Sequence, residues 1–158
     1  MEQRNTLIRE LVFLLEKGNA HASFEDAIAG VPAELRSVRP DTLPYSIWEL
    51  AEHIRITQWD IVEFCLSDKH QSPKWPDEYW PGAKEKISDE DWEKTGQQVT
   101  KDRERFVALL QAKEADLYTP FAHGDGQNLL REALLIADHT AYHTGQILVV
   151  RRLLGCWD

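Results

Sequence analysis

The chain has 158 residues, with 27 acidic and 18 basic side chains for a formal net charge of −9. A single domain of this length buries roughly 68–70% of the surface its unfolded chain exposes, so it folds without needing disulfides or an obligatory metal. Its 42% hydrophobic and 28% charged residues exclude disorder, a collagen-like repeat and a coiled-coil rod, and the acidic balance leaves no Lys/Arg cluster to release counterions from nucleic acid.

Leu7, Leu11, Leu14 and Leu15 recur at helical spacing and stop at Gly18, which predicts a first helix over about 3–17. Ser23 followed by Asp26 reads as a short cap, so a helical turn is expected at 23–29 before Gly30-Val31-Pro32 and a connector over 30–45. Ser46 and Glu49 form a capping box that opens a second helix running to about Leu66. One stripe of that helix carries Ile47, Leu50, Ile54, Ile61 and Cys65, and another carries Trp48, Ala51, Trp59, Val62 and Leu66, so it must be covered on two sides. Residues 67–87 hold three prolines with Trp75, Tyr79 and Trp80, a composition that breaks helices yet is too aromatic for a solvated linker. An ordered crossover packed on the rest of the molecule is expected there. Ser88 with Asp91 caps a third helix to about Ala115, with Trp92, Val99, Phe106, Leu109 and Leu110 as its core, weakened in its first half by Gly96. A turn over 118–126 leads to a fourth helix from about Gln127 to Leu154, closed by Gly155. The elements predict an all-α fold: one domain over 1–158, an antiparallel four-helix bundle with a long crossover between helices 2 and 3.

Cys65 and Cys156 stand 91 positions apart and form neither a C-x-x-C pair nor a disulfide framework, which implies a reducing compartment. No secretory leader pattern opens the chain and no apolar run approaches the length of a membrane span, so the expected location is cytoplasmic, with no membrane partner.

The sharpest local feature is Asp138-His139-Thr140-Ala141-Tyr142-His143 within the fourth helix. His139 and His143 are i and i+4, roughly 40° apart in projection and about 6 Å apart along the axis, so they can converge on one ion. The stripe that holds them also holds Leu135, Ile136, Gln146, Ile147, Val150 and Leu153, so the pair interrupts a core-facing surface. Burying two imidazoles unpartnered would cost on the order of 1–3 kcal/mol each. A catalytic zinc site takes three protein ligands and leaves a position open. His21, His70 and His123 fall in connecting segments, whereas His53 lies on the second helix beside Leu50 and Ile54, which makes it the third candidate ligand. The segment His139-Thr140-Ala141-Tyr142-His143 lacks the Glu of H-E-x-x-H, so a zincin mechanism is disfavoured.

Pro44-Tyr45-Ser46-Ile47-Trp48-Glu49-Leu50-Ala51-Glu52-His53, together with Ala137-Asp138-His139-Thr140-Ala141-Tyr142-His143-Thr144-Gly145-Gln146-Ile147 and Arg151-Arg152-Leu153-Leu154-Gly155, resembles the DinB-like superfamily of small four-helix proteins. The resemblance spans almost the whole chain. It implies a metal held by one His early in the second helix and an H-x-x-x-H pair in the last, at His53, His139 and His143 here. The members similar to this chain include bacillithiol- or mycothiol-using transferases, metal-dependent hydrolases and stress-associated proteins with no assigned activity.

Three functions follow from these residues taken together with the resemblance, which is what implies the thiol chemistry. The first is a thiol S-transferase: a divalent transition metal, zinc or nickel ahead of iron or manganese, activates a low-molecular-weight thiol for attack on an electrophile. Cys65, on a buried stripe, and Cys156, at the C-terminal edge, are read as packing or incidental and not as nucleophiles. The second is a hydrolase using the same metal to activate water, with Glu49, Asp60 and Asp138 as candidate bases and Tyr142 and Gln146 as supporting or packing residues. The third is a metal-binding, non-enzymatic protein that acts by association. The Trp48/Trp59 stripe points to a homodimer, unless the 67–87 segment covers it.

Overall fold

Three serines and an asparagine start the helices in the computed structural model, which describes residues 2–157. Ser23 and Asp26 form a reciprocal capping box at α2 (Phe24–Ile28), and Ser46 and Glu49 form one at α3 (Ile47–Leu66). Ser88 accepts from the Asp91 amide at the start of α4 (Asp89–Gln111), and Asn128 accepts from the Arg131 amide at the start of α5 (Leu129–Leu153). The first helix, α1, spans Glu2–Lys17 and ends at Gly18, whose φ of 60° is the left-handed conformation that favours glycine. Among the described residues there is no strand, and no helix is long and apolar enough to cross a membrane.

Two helix ends differ from expectation. The third long helix stops at Gln111 instead of about Ala115, because the Arg4 guanidinium reaches over from α1 to the Ala115 carbonyl at 2.8 Å and the chain turns to bury Leu117. The fourth begins at Leu129 instead of Gln127, since Asn128 supplies the cap.

The four long helices form the expected bundle. α3 packs on α4 and α5, and α1 closes the other side against the same two helices. The crossover returns the chain to the end it came from, so α3 and α4 run in the same direction. Thr95 therefore meets Glu52, the Val99 carbonyl meets Gln58, and Arg105 meets Glu63. The opposed pairs are α3 with α5 and α1 with α4, and the short α2 docks on α5.

Apolar burial divides into two clusters. One gathers Leu11, Leu15, Ile61, Val62, Phe106, Leu110, Ala133 and Ile136, and the other gathers Phe24, Ile47, Leu50, Ile54, Val99, Ile147 and Val150. Between them the buried positions of α3 and α5 turn polar, at Gln58 and Asp60 on one helix and at His143 and Thr144 on the other. Leu135 and Leu153, placed on the core stripe by periodicity, are 38% and 56% exposed, because α5 has neighbours on only part of its circumference.

Candidate metal centre

His53, His139 and His143 meet in this polar layer, with one ring nitrogen of each lying within 4.8 Å of the others. Among the described residues no other group of three or more His, Cys, Asp or Glu could hold an ion. His53 Nε2 lies 3.1 Å from His139 Nε2. At metal–nitrogen distances of about 2.0–2.1 Å two nitrogens up to about 4.2 Å apart can share one ion, so this pair is already within reach of a common ligand position.

The opposite ring nitrogens explain the orientation. His53 Nδ1 is 2.8 Å from the Tyr79 carbonyl, and His143 Nδ1 is 2.6 Å from Gln146 Oε1. Both oxygens can only accept, so each Nδ1 carries the proton and each Nε2 keeps its lone pair. Carbonyl or carboxylate support of this kind fixes the tautomer of metal-bound histidines. The His53 ring also stacks on Trp80, with centroids 3.9 Å apart and planes inclined by 5°. Trp80 is thus a wall of the site, backed by Tyr45.

Burial keeps all three rings neutral. It pushes His139 down to about 3, with the neighbouring His143 and His53 adding to the effect. His143 is pushed down to about 4, again mainly by burial, with the Gln146 hydrogen bond opposing and His53 adding. His53 is lowered by burial against the opposing bond to the Tyr79 carbonyl. Neutral imidazole is the form that ligates, and it suits zinc, copper, iron or nickel. The residues present therefore fit a divalent transition ion on chemistry and on orientation.

None of the three candidate bases stands at the histidines. Glu49 is committed to the Ser46 amide at 2.8 Å and to a two-pronged pair with Arg39. Asp60 accepts from His70 Nε2 at 2.7 Å and from the Tyr79 hydroxyl at 2.5 Å. Asp138 is exposed on α5, beside a surface groove it lines with Leu14, Leu134 and Leu135. Gln146 supports His143 directly, whereas Tyr142 is 62% exposed with only its ring edge against His143.

The crossover covers part of the second stripe of α3, whose last member, Leu66, is 44% exposed. Trp48 is 4% exposed with the Lys84 ammonium 4.8 Å over its ring, and Trp59 meets the edge of His70. His70 and Tyr79, the latter a support for His53, both lie in the segment expected as a connector. Their only signal was the aromatic content of 67–87. A polar cavity of about 340 Å³ between α3 and α4 is lined by Trp48, Arg55, Lys94 and Gln98.

The model of the DinB superfamily matches residues 19–147, most of the chain and all three histidines. No curated protein and no solved structure matches it. An all-helical bundle with its long crossover, three converging imidazoles and a family match over this span agree, and the chain belongs to the DinB superfamily.

Proposed function

We propose that the chain is an enzyme that holds one divalent transition metal on His53, His139 and His143 and there joins a low-molecular-weight thiol to an electrophile. Zinc or nickel comes first as the ion, iron or manganese next. The observation that carries the reading is the donor set: three neutral imidazoles, two of them with Nδ1–H already engaged, and no carboxylate among them. Bound there, such an ion supplies a Lewis acid that can deprotonate a coordinated thiol outright. The chain's own part is to present lone pairs on fixed rings and, through Trp80, to keep water off one face of His53. In the transfer the thiol proton goes to solvent, the sulfur forms a bond to the electrophilic carbon, and the leaving group departs with its electron pair.

The protein's cysteines do not compete as nucleophile. Burial first, and the Glu132 carboxylate second, push the Cys65 thiol up to about 12, so it stays protonated. Cys156 sits beyond the end of α5, partly buried against the cluster of Ile147 and Val150, and is not part of the group gathered at the histidines. The nucleophile therefore comes from a second substrate, and two free cysteines suit a reducing, cytoplasmic setting.

A hydrolase on the same histidines is the weaker reading. A water nucleophile needs a proton acceptor beside it, and Glu49 and Asp60 are engaged elsewhere while Asp138 faces solvent. As partner we propose a second copy of this chain. Because Trp48 is buried and Trp59 half-buried, we place the contact on α5, whose exposed apolar side chains include Leu134, Tyr142, Val149 and Leu153.

The test starts from the metal-free protein. One equivalent of zinc, nickel or cobalt should bind, and His53→Ala, His139→Ala and His143→Ala should each weaken binding. Undiminished stoichiometry and affinity in all three would remove the metal centre. Cellular thiols added to the cobalt protein should produce sulfur charge-transfer absorption and conjugates with electrophiles. No spectral change and no conjugate, with the metal-free protein melting far below the loaded one, would leave a structural or sensing ion in a stress-associated protein.

A further inference from the structure

The strap between α3 and α4 is anchored at its flanks and exposed in the middle. Gln71, Ser72 and residues 74–78 are exposed, Trp75 at 72%, while His70, Tyr79 and Trp80 turn inward. His70 and Tyr79, nine positions apart, both end on the two oxygens of one carboxylate: His70 Nε2 on Asp60 Oδ1 and the Tyr79 hydroxyl on Asp60 Oδ2. Asp60 is 8% exposed and lies two turns beyond His53 on the same side of α3. A loop whose two ends share one buried acceptor is closed by that acceptor, and charge-assisted hydrogen bonds of 2.5–2.7 Å belong to the stronger class. Burial first, and the Asp60 carboxylate next, push the Tyr79 hydroxyl well above its ordinary value, so it remains a donor.

Tyr79 faces two ways. Its hydroxyl meets Asp60, and its backbone carbonyl accepts from His53 Nδ1 at 2.8 Å. The next residue is Trp80, the ring stacked on His53. We infer that Asp60 is a positioning residue for the histidine cluster: by clasping the strap at His70 and Tyr79 it holds the Tyr79 carbonyl on the His53 Nδ1–H and the Trp80 ring on the His53 face. The inference rests on the reading of His53 as a ligand for the consequence on metal, but not for the effect on the His53 ring. The chain from carboxylate to tyrosine to imidazole also explains why a candidate base of the α3 face is not at the cluster. Its proton-accepting oxygens are spent on the strap.

Asp60→Asn keeps the shape and removes the charge, and Tyr79→Phe removes a single oxygen and leaves the carbonyl in the backbone. Both are compared with the double variant and with Phe106→Leu, a core change away from the strap that controls for general destabilisation. Nitrogen-detected NMR of the metal-free proteins reads the imidazole tautomers, and chelator competition reads the zinc affinity. His53 should lose its preference for Nδ1–H in both single variants while His143, held by Gln146, keeps its own. Zinc affinity should fall about tenfold in each, the lower end of the effect of disturbing a ligand's support. The double variant should fall about as far as one single, about tenfold and not a hundredfold, since both changes break the same contact. Unchanged His53 tautomer in Asp60→Asn and Tyr79→Phe would overturn the inference, as would an equal loss of affinity in Phe106→Leu. A wild-type protein that binds no zinc but whose His53 tautomer still shifts in both variants would overturn the metal reading alone and support the clasp.

Discussion

Arg151 carries a prediction that follows from geometry alone. On the last turn of α5 it is 5% exposed, yet each of its three guanidinium nitrogens donates. Nη1 donates to the Ala27 and Ala29 carbonyls at 2.7 and 2.9 Å, and Nη2 and Nε donate to the Cys156 carbonyl at 2.9 and 3.2 Å. It thereby satisfies the open end of α2, where carbonyls have no helical partner, and ties α5 and the C-terminal turn to it. Arg151→Met keeps most of the stem but strands three carbonyls at about 1–3 kcal/mol each, offset in part because no charge is then buried. We expect a net loss of about 3–4 kcal/mol, and at roughly 2–4 °C per kcal/mol for a chain of this length a fall in Tm of about 10 °C. Arg151→Lys should recover less than half, since one ammonium cannot serve α2 and Cys156 together. Calorimetry on the metal-free protein measures both, with urea melts giving the free energy. A Met variant within about 1 kcal/mol of wild type, or a Lys variant equal to it, would show that these hydrogen bonds contribute little net stability and refute the reasoning.

Four further outcomes are expected. Cys65 should stay unreactive towards a disulfide reagent in the native protein, as a buried thiol with its pKa raised to about 12, and the Cys65→Ala, Cys156→Ala double variant should keep thiol transfer; loss of transfer would return a cysteine to the chemistry. Glu25 is pushed up by burial but held below its ordinary value by the Arg103 hydrogen bond and charge, so its contribution is fully present above the unfolded carboxyl pKa of about 4.3 and is lost as pH falls through the lower folded value. Urea melts across that window should show a shallower acid decline for Glu25→Gln, and an unchanged slope would count against the pair. Sedimentation at micromolar concentration should find a dimer that Val149→Asp dissociates and Trp48→Ala destabilises without dissociating, and a monomer at every concentration would end the proposal.

What could be read from the sequence was local. The Ser46–Glu49 capping box and the His139–His143 pair each lie within one helical turn, so spacing alone places them, and both are as spaced in the structure. His53 followed because the other histidines fell in connectors. What could not be read depends on contacts between distant parts of the chain. The end of α4 is set by Arg4, 111 positions before the carbonyl it holds, and the end of α2 by Arg151, more than 120 positions away. A helical projection gives the angle of Leu135 and Leu153 but not whether a neighbour stands there, and α5 has none at that angle. Asp60 illustrates both sides of this. Its spacing of seven positions from His53 places it on the same side of α3, and only the path of the proline-rich strap shows that its oxygens are used by His70 and Tyr79. Polar side chains interrupt the apolar period at the same level of both helices, on α3 between Leu50 and Ile61 and on α5 between Ile136 and Ile147. Burying polar side chains there is costly unless each has a partner. Tyr79, Gln146 and Val99 supply oxygens for His53, His143 and Gln58, so the break in the pattern is stable enough to hold three ligand nitrogens within 4.8 Å.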